Sequence, residues 1–214
     1  SNGIYSGTRG VSFPQDSYNL RAERAVSVFD LRHRFSVNFT YDVNFLPGRF
    51  GSLPKRLTEG WQLGGIYTGQ SGSPITPFLS IDNSGTGERN DRPNLVGDPN
   101  NGPGSPRGWF NEAAFAAPAG NAFGNSPRNV IIGPAYHSVD FSVNKLTRVT
   151  ERVSLQFRAE FFNLFNRANF SLPNVDFNST SFGDISETPD VTAGNPRLAE
   201  GSPRVIQFGL KAIF

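Results

Sequence analysis

The chain has no cysteine and no methionine. Without cysteine there can be no disulfide framework, no thiolate metal ligand and no thiol nucleophile. The missing methionine and the start at Ser1 read as a piece of a longer chain. Residues 1–10 are polar and glycine-rich, so no secretory leader is legible there. A surplus of one charge is lacking too. The 20 Lys+Arg against 18 Asp+Glu leave a formal +2, and the basic residues are scattered singly. That distribution gives no electrostatic footprint for a nucleic acid. Nor does any run approach the roughly 18 apolar residues of a membrane-crossing helix.

What the chain does have is phenylalanine, 20 of them, set among 23 Gly and 16 Pro. Many of the aromatics recur at every second position. From Arg34 to Val43, Phe35, Val37, Phe39, Tyr41 and Val43 alternate with Arg34, Ser36, Asn38, Thr40 and Asp42. Side chains on a strand alternate between faces, so this pattern is a strand with one apolar and one polar face. The same pattern runs through Trp61–Gln70, Ser138–Lys145, Val153–Phe161 and Arg204–Phe214. Tyr18–Ala22 is a weaker candidate. These segments are close to the 9–11 residues that a tilted strand needs to cross a bilayer. Membrane barrels need an apolar residue only at alternate positions, which keeps their average hydropathy low.

The connections alternate in length. Phe45–Gly60 is moderate, with Pro47-Gly48 as a turn signal, and Leu146–Arg152 is short. Ser71–His137 and Asn166–Pro203 are long and rich in turn residues. A long structureless loop argues against an ordinary compact domain, but a membrane barrel expects short turns inside and long loops outside. If Phe214 ends at the periplasm, strand parity sends both shorter connections to the periplasm and both long ones outside. One stretch, Glu160–Arg167, breaks the alternation with Phe161-Phe162 and Leu164-Phe165. It suits a helical turn, but the preferred reading carries the strand on to Phe165 and an outer aromatic girdle.

Candidate chemistry is sparse. The polar positions Arg34, Asp42, Asp140, Arg158, Glu160 and Lys211 are expected to face a barrel lumen, where charge is ordinary. His33 and His137 lack metal-ligand spacing. Asp82, Asn83, Asp91, Asp98, Asn100 and Asn101 crowd one loop but lack the spaced acids of a calcium loop, and such residues also serve turns. Gly69–Gly72 and Gly85–Gly87 lack the ending of a phosphate loop. Ser71, Ser126 and Ser202 have no nucleophile-elbow context. No catalytic constellation emerges, and neither a metal nor a cofactor is expected. The final residues Phe208, Leu210 and Phe214 read as an assembly signal, an aromatic terminus on a lipid-facing strand.

Several short strings, in order, resemble the C-terminal barrel region of TonB-dependent receptors of the Oar-like subgroup, which carry a carboxypeptidase-regulatory-like domain. They include Phe29-Asp30-Leu31-Arg32-His33-Arg34-Phe35, Gly60-Trp61-Gln62-Leu63-Gly64-Gly65-Ile66 and Gln70-Ser71-Gly72-Ser73-Pro74. Asn90-Asp91-Arg92-Pro93-Asn94, Trp109-Phe110-Asn111 with Ala114-Phe115, and Phe123-Gly124-Asn125-Ser126-Pro127-Arg128-Asn129 follow. The set closes with Arg158 to Asn166, Asn169-Phe170, Phe182-Gly183-Asp184-Ile185 and Pro203 to Lys211. The resemblance spans Asp30 to Phe214, while the residues before it match poorly. It implies a barrel of about 22 strands with a plugged lumen. It also implies import of a bulky nutrient across the outer membrane, with energy relayed by TonB.

The expected fold is therefore all-β. It is an antiparallel meander supplying the last strands of an outer-membrane barrel, with strands near 34–43, 61–70, 138–145, 153–165 and 204–214. Residues 1–31 read as an outer loop with at most a partial strand. The expected function is a share in TonB-dependent transport, without enzymatic activity. The expected partners are outer-membrane lipid, an upstream plug and further strands of the same chain, the TonB complex, the barrel-assembly machinery and a transported ligand. Five or six strands cannot close so large a barrel, so two open edges are expected. The alternatives are a β-sandwich adhesion module, which would turn its apolar faces inward, and a secreted hydrolase, which would need a clustered acid pair or triad.

Overall fold

The computed structural model describes residues 13–43, 54–87, 90–194 and 201–214. Its strands are β1 (Arg34–Val43), β2 (Trp61–Gln70), β3 (Pro74–Ile75), β4 (Asn94–Leu95), β5 (Phe115–Ala116), β6 (Ile131–Ile132), β7 (Tyr136–Arg148), β8 (Ser154–Phe162) and β9 (Val205–Ile213). The chain divides into two compact units. One comprises residues 34–69, 137–168 and 201–214; the other comprises 1–33, 70–136 and 169–200.

The first unit is a five-stranded sheet in the order β1-β2-β7-β8-β9. Every long strand neighbours the next long strand in sequence, so the sheet is a meander. The β7–β8 and β8–β9 pairs are antiparallel, with Phe141 opposite Phe161, Phe157 opposite Leu210 and Ser154 opposite Ile213. β1 and β9 each have one neighbour and form open edges. The sheet does not close on itself among the described residues.

β1 and β2 have the bounds that the alternation marks. β7 extends the expected strand at both ends. β8 stops earlier than expected, at Phe162 rather than Phe165. The reason is local: Asn163 and Asn166 take φ of 47° and 51°, a left-handed conformation that asparagine tolerates and a strand does not. Asn163-Leu164-Phe165 is thus a turn, neither a strand end nor a helix. Tyr18–Ala22 forms no strand either, because Leu20–Glu23 is a single 3₁₀ turn. The Pro47-Gly48 turn and the first twelve residues lie outside the described residues.

The second unit corrects the expectation that the long loops are structureless. Two antiparallel ladders organise it, β3 with β6 and β4 with β5. Ile75, Phe110, Ala114, Phe115, Ile131, Val175 and Phe182 pack into a buried cluster. The rings of Phe110, Phe115 and Phe182 meet edge to face at centroid distances of 4.9 to 5.8 Å. That tilt suits the aromatic quadrupole and adds roughly 0.5–1.5 kcal/mol per pair beyond area burial. These apolar residues are spaced without period across two loops, so no strand or helix pattern announces them.

Candidate functional site

The sheet has two chemically distinct faces, set by the pairing register. Phe141, Val143 and Lys145 of β7 lie opposite Phe161, Ala159 and Phe157 of β8. Those three lie opposite Ile206, Phe208 and Leu210 of β9. The one-in-two parity of each strand therefore builds a continuous apolar face. The Phe157 and Phe208 rings stack at 6.2 Å. Gly65 of β2 lies on the same face, and a Cβ there would overlap the Phe39 ring. The missing side chain lets Phe39 lie flat over the backbone, as aromatic cover for a glycine in a strand.

This face is exposed. Phe35, Phe39, Phe208 and Leu210 are all more than half accessible, and Phe214, just beyond β9, is 92% accessible. A contiguous exposed apolar sheet face of this kind marks a surface for contact with a partner or a membrane. The ends of the face carry amphipathic groups. At one end, Tyr67 Oη and His137 Nδ1 share a hydrogen bond of 2.9 Å, and Phe35 packs against Tyr67 at 6.0 Å. At the other, Lys145 reaches over the Trp61 ring, its Nζ 5.3 Å from the centroid, and donates to the Glu59 carbonyl. The Trp61 indole N–H donates to Leu57 O. Aromatic rings with a polar tip, and a lysine whose buried head is satisfied by a backbone carbonyl, suit a boundary between apolar and aqueous phases.

The opposite face is polar. Gln62 donates to Asp42 at 2.9 Å. Asp42, Gln62, Asn144 and Gln156 line a concavity of about 490 Å³, together with Leu146 and Ile213. Lys211 lies opposite Gln156, and Arg158 opposite Asn144. Arg158 pairs with Glu160 on its own strand, so that glutamate is already engaged. Asp140 is different: its Oδ1 accepts the Asn163 N–H at 2.8 Å and the Ser138 hydroxyl, holding the turn after β8. Arg34 opens β1 at the same parity as Asp42. The expected polar positions thus share a face, but the structure does not draw them into one cluster.

The oxygen-rich loop turns out to be structural. Asp82 accepts the N–H groups of Gly85, Thr86 and Gly87. The Gly87 N–H foremost, with those of Gly85 and Thr86 and the Ser84 hydroxyl, holds its carboxyl below the ordinary value against a smaller opposing effect of desolvation. Asp91 accepts the Ser84 N–H, Asp98 the Asn100 N–H, and Asn83 donates to Ala119 O and Ala122 O. Asn100 bridges to Val130 O and the Ile132 N–H. Among the described residues no three His, Asp or Glu are grouped as a metal site would need. His33 and Ser71 exchange backbone and hydroxyl hydrogen bonds.

Sequence reading missed one site. Glu23 lies between two arginines, Arg92 and Arg128, within the loop unit. Both arginines fall in strings that carry the family resemblance, whereas Glu23 falls in the stretch that matched poorly. A carboxylate about seventy residues away in sequence leaves no local signal. Gly124, in the second of those strings, has a specific role: a Cβ there would overlap the Arg92 carbonyl oxygen.

The sequence model of a family described as "Outer membrane beta barrel domain" matches residues 1–207. Searches of curated proteins and of solved structures returned no match.

Proposed function

The chain belongs to the outer membrane beta barrel domain family and so resides in the outer membrane, in contact with its lipid, and from that premise we propose that it is part of a TonB-dependent receptor of the Oar-like kind. The observation that carries the reading is the two-faced meander sheet. Its apolar face, with amphipathic groups at both ends, suits the hydrocarbon layer and its two interfaces. Its polar face suits a lumen through which a bulky solute passes. The ordered series of short strings from Asp30 to Lys211 supports this receptor type over a simple pore. The open edges at β1 and β9 would be joined by further strands of the same parent chain, closing a barrel around a plug.

The proposal contains no catalytic step. Glu160 is paired, Asp140 holds a turn, and Asp82 caps backbone N–H groups. The β-sandwich alternative would need the apolar faces turned inward, whereas Phe208 and Leu210 lie open.

The test uses the full-length parent. Outer-membrane fractions run on a gel with and without boiling should show a heat-shifted band, and the purified parent should bind the periplasmic domain of TonB. A heat shift without TonB binding would leave a barrel and remove the receptor assignment. A soluble protein with no heat shift would remove both.

A further inference from the structure

The segment 15–29 is held onto the loop unit by polar contacts alone. Its 3₁₀ turn buries no residue. Tyr18, Leu20, Val26, Val28 and Phe29 all point outward, with Tyr18 and Phe29 nearly fully accessible. Apolar burial, the usual adhesive of a docked segment, is absent here.

The fastening is ionic. Arg92 presents its fork to the Glu23 carboxylate, Nη1 to Oε2 at 2.9 Å and Nη2 to Oε1 at 2.8 Å. Arg128 Nη1 adds a third contact to Oε2 at 3.3 Å. A planar guanidinium matches a carboxylate in this bidentate way, and the geometry recurs wherever acidic ligands are recognised. The Arg92 side chain is 2% accessible and that of Glu23 is 10%. Among the described residues the buried Arg92 Nε has no hydrogen-bond partner, so the socket has a donor that Glu23 does not use. Gln15 secures one end by donating to Gly124 O and accepting the Arg92 N–H, and Asn129 donates to Val26 O near the other.

We propose that residues 15–29 form a releasable strap, that Glu23 occupies in cis a carboxylate socket made by Arg92 and Arg128, and that a carboxylate-bearing ligand displaces it. With the strap in place, the single Glu23 carboxylate serves both guanidinium groups and the Arg92 side chain is covered. With it released, the same fork and its spare Nε donor face the incoming acid. The strap's outward apolar side chains cost nothing to move, because none leaves a packed site. The inference concerns the loop unit alone and does not depend on the transport reading.

The experiment follows hydrogen exchange in the strap of the full-length parent in detergent. It compares wild type, Glu23→Gln and the swap Glu23→Arg with Arg128→Glu. Glu23→Gln should raise exchange at Ala22 and Arg24 at least tenfold, while amides of β3 and β6 stay protected. The swap should recover part of that protection. In wild type, millimolar citrate should loosen the strap more than sodium chloride of equal ionic strength, and it should add nothing in Glu23→Gln. Unchanged exchange in Glu23→Gln would overturn the latch. Equal loosening of strap and core would make Glu23 a support of the core instead. Citrate acting no more strongly than chloride would overturn the carboxylate socket.

Discussion

At the residue scale, hydrogen bonding decides what the acidic side chains do. Asp82 has a folded-state pKa below its ordinary value because it accepts the Gly87 N–H and its neighbours. The stability that a depressed carboxylate brings is complete above its unfolded value and is lost as pH falls through the folded one. The amide signals of Gly85, Thr86 and Gly87 should therefore titrate together, with a midpoint below the ordinary value of about 4 for an aspartate. Asp82→Asn should remove the transition. A midpoint at or above the ordinary value would show that the N–H groups do not hold the carboxylate in solution. The sequence favours turn formers over cation ligands for Asp82 and its neighbours, because the spaced acids of a calcium loop are missing. Which N–H groups each carboxylate holds was not legible there. Asn163 makes a related point: its side chain donates to Arg167 O and Ser202 O, and its φ of 47° ends β8 where the aromatic-girdle reading carries the strand on to Phe165.

At the element scale, the two faces of a single strand should respond oppositely to charge. Phe208 and Gln207 are neighbours on β9 but point to different faces, opposite Ala159 and Glu160. Phe208→Arg places a cation against hydrocarbon and should cost about 2–4 kcal/mol if the position lies near the midplane. Gln207→Arg should cost far less, since it meets polar groups. The temperature at which the folded band of the full-length parent disappears would report both, and equal effects would mean that the faces are misassigned. Strands β1, β2, β7, β8 and β9 were legible because parity is enforced by the pleat and needs no distant partner. The loop core was not, because Ile75, Phe110, Ile131 and Phe182 are separated by tens of residues and follow no period. Phe214 lies just after β9 and is almost wholly exposed. Its deletion should lower the amount of heat-shifted parent in the outer membrane without altering the total synthesised. Unchanged insertion would leave the assembly-signal reading of Phe208, Leu210 and Phe214 without support.

At the scale of the whole molecule, two units with separate sources of stability should fail separately. The sheet has its ladder hydrogen bonds and, on the proposed reading, lipid against its apolar face. The loop unit has a buried aromatic cluster instead. Phe110 is 2% accessible and touches both Phe115 and Phe182. Phe110→Ala should cost that unit about 3–5 kcal/mol. Protease added to intact cells should then cut within residues 71–135, while the heat-shifted band of uncut protein persists. Loss of the heat shift together with the loops would mean that the units are one cooperative body.

The loop core also has a history written into it. Ile75 and Phe110 come from the connection between β2 and β7, but Val175 and Phe182 come from the connection between β8 and β9. The N–H of Phe78 donates to Val175 O, and that of Phe177 returns to Phe78 O, joining residues about a hundred positions apart. The core cannot be completed until the last connection has been delivered beside the earlier one. Contacts so distant in sequence are late in folding, because their loop-closure entropy is met before any reward arrives. A finished loop unit is therefore a timestamp: wherever it is found closed, the connection after β8 has already reached the one after β2.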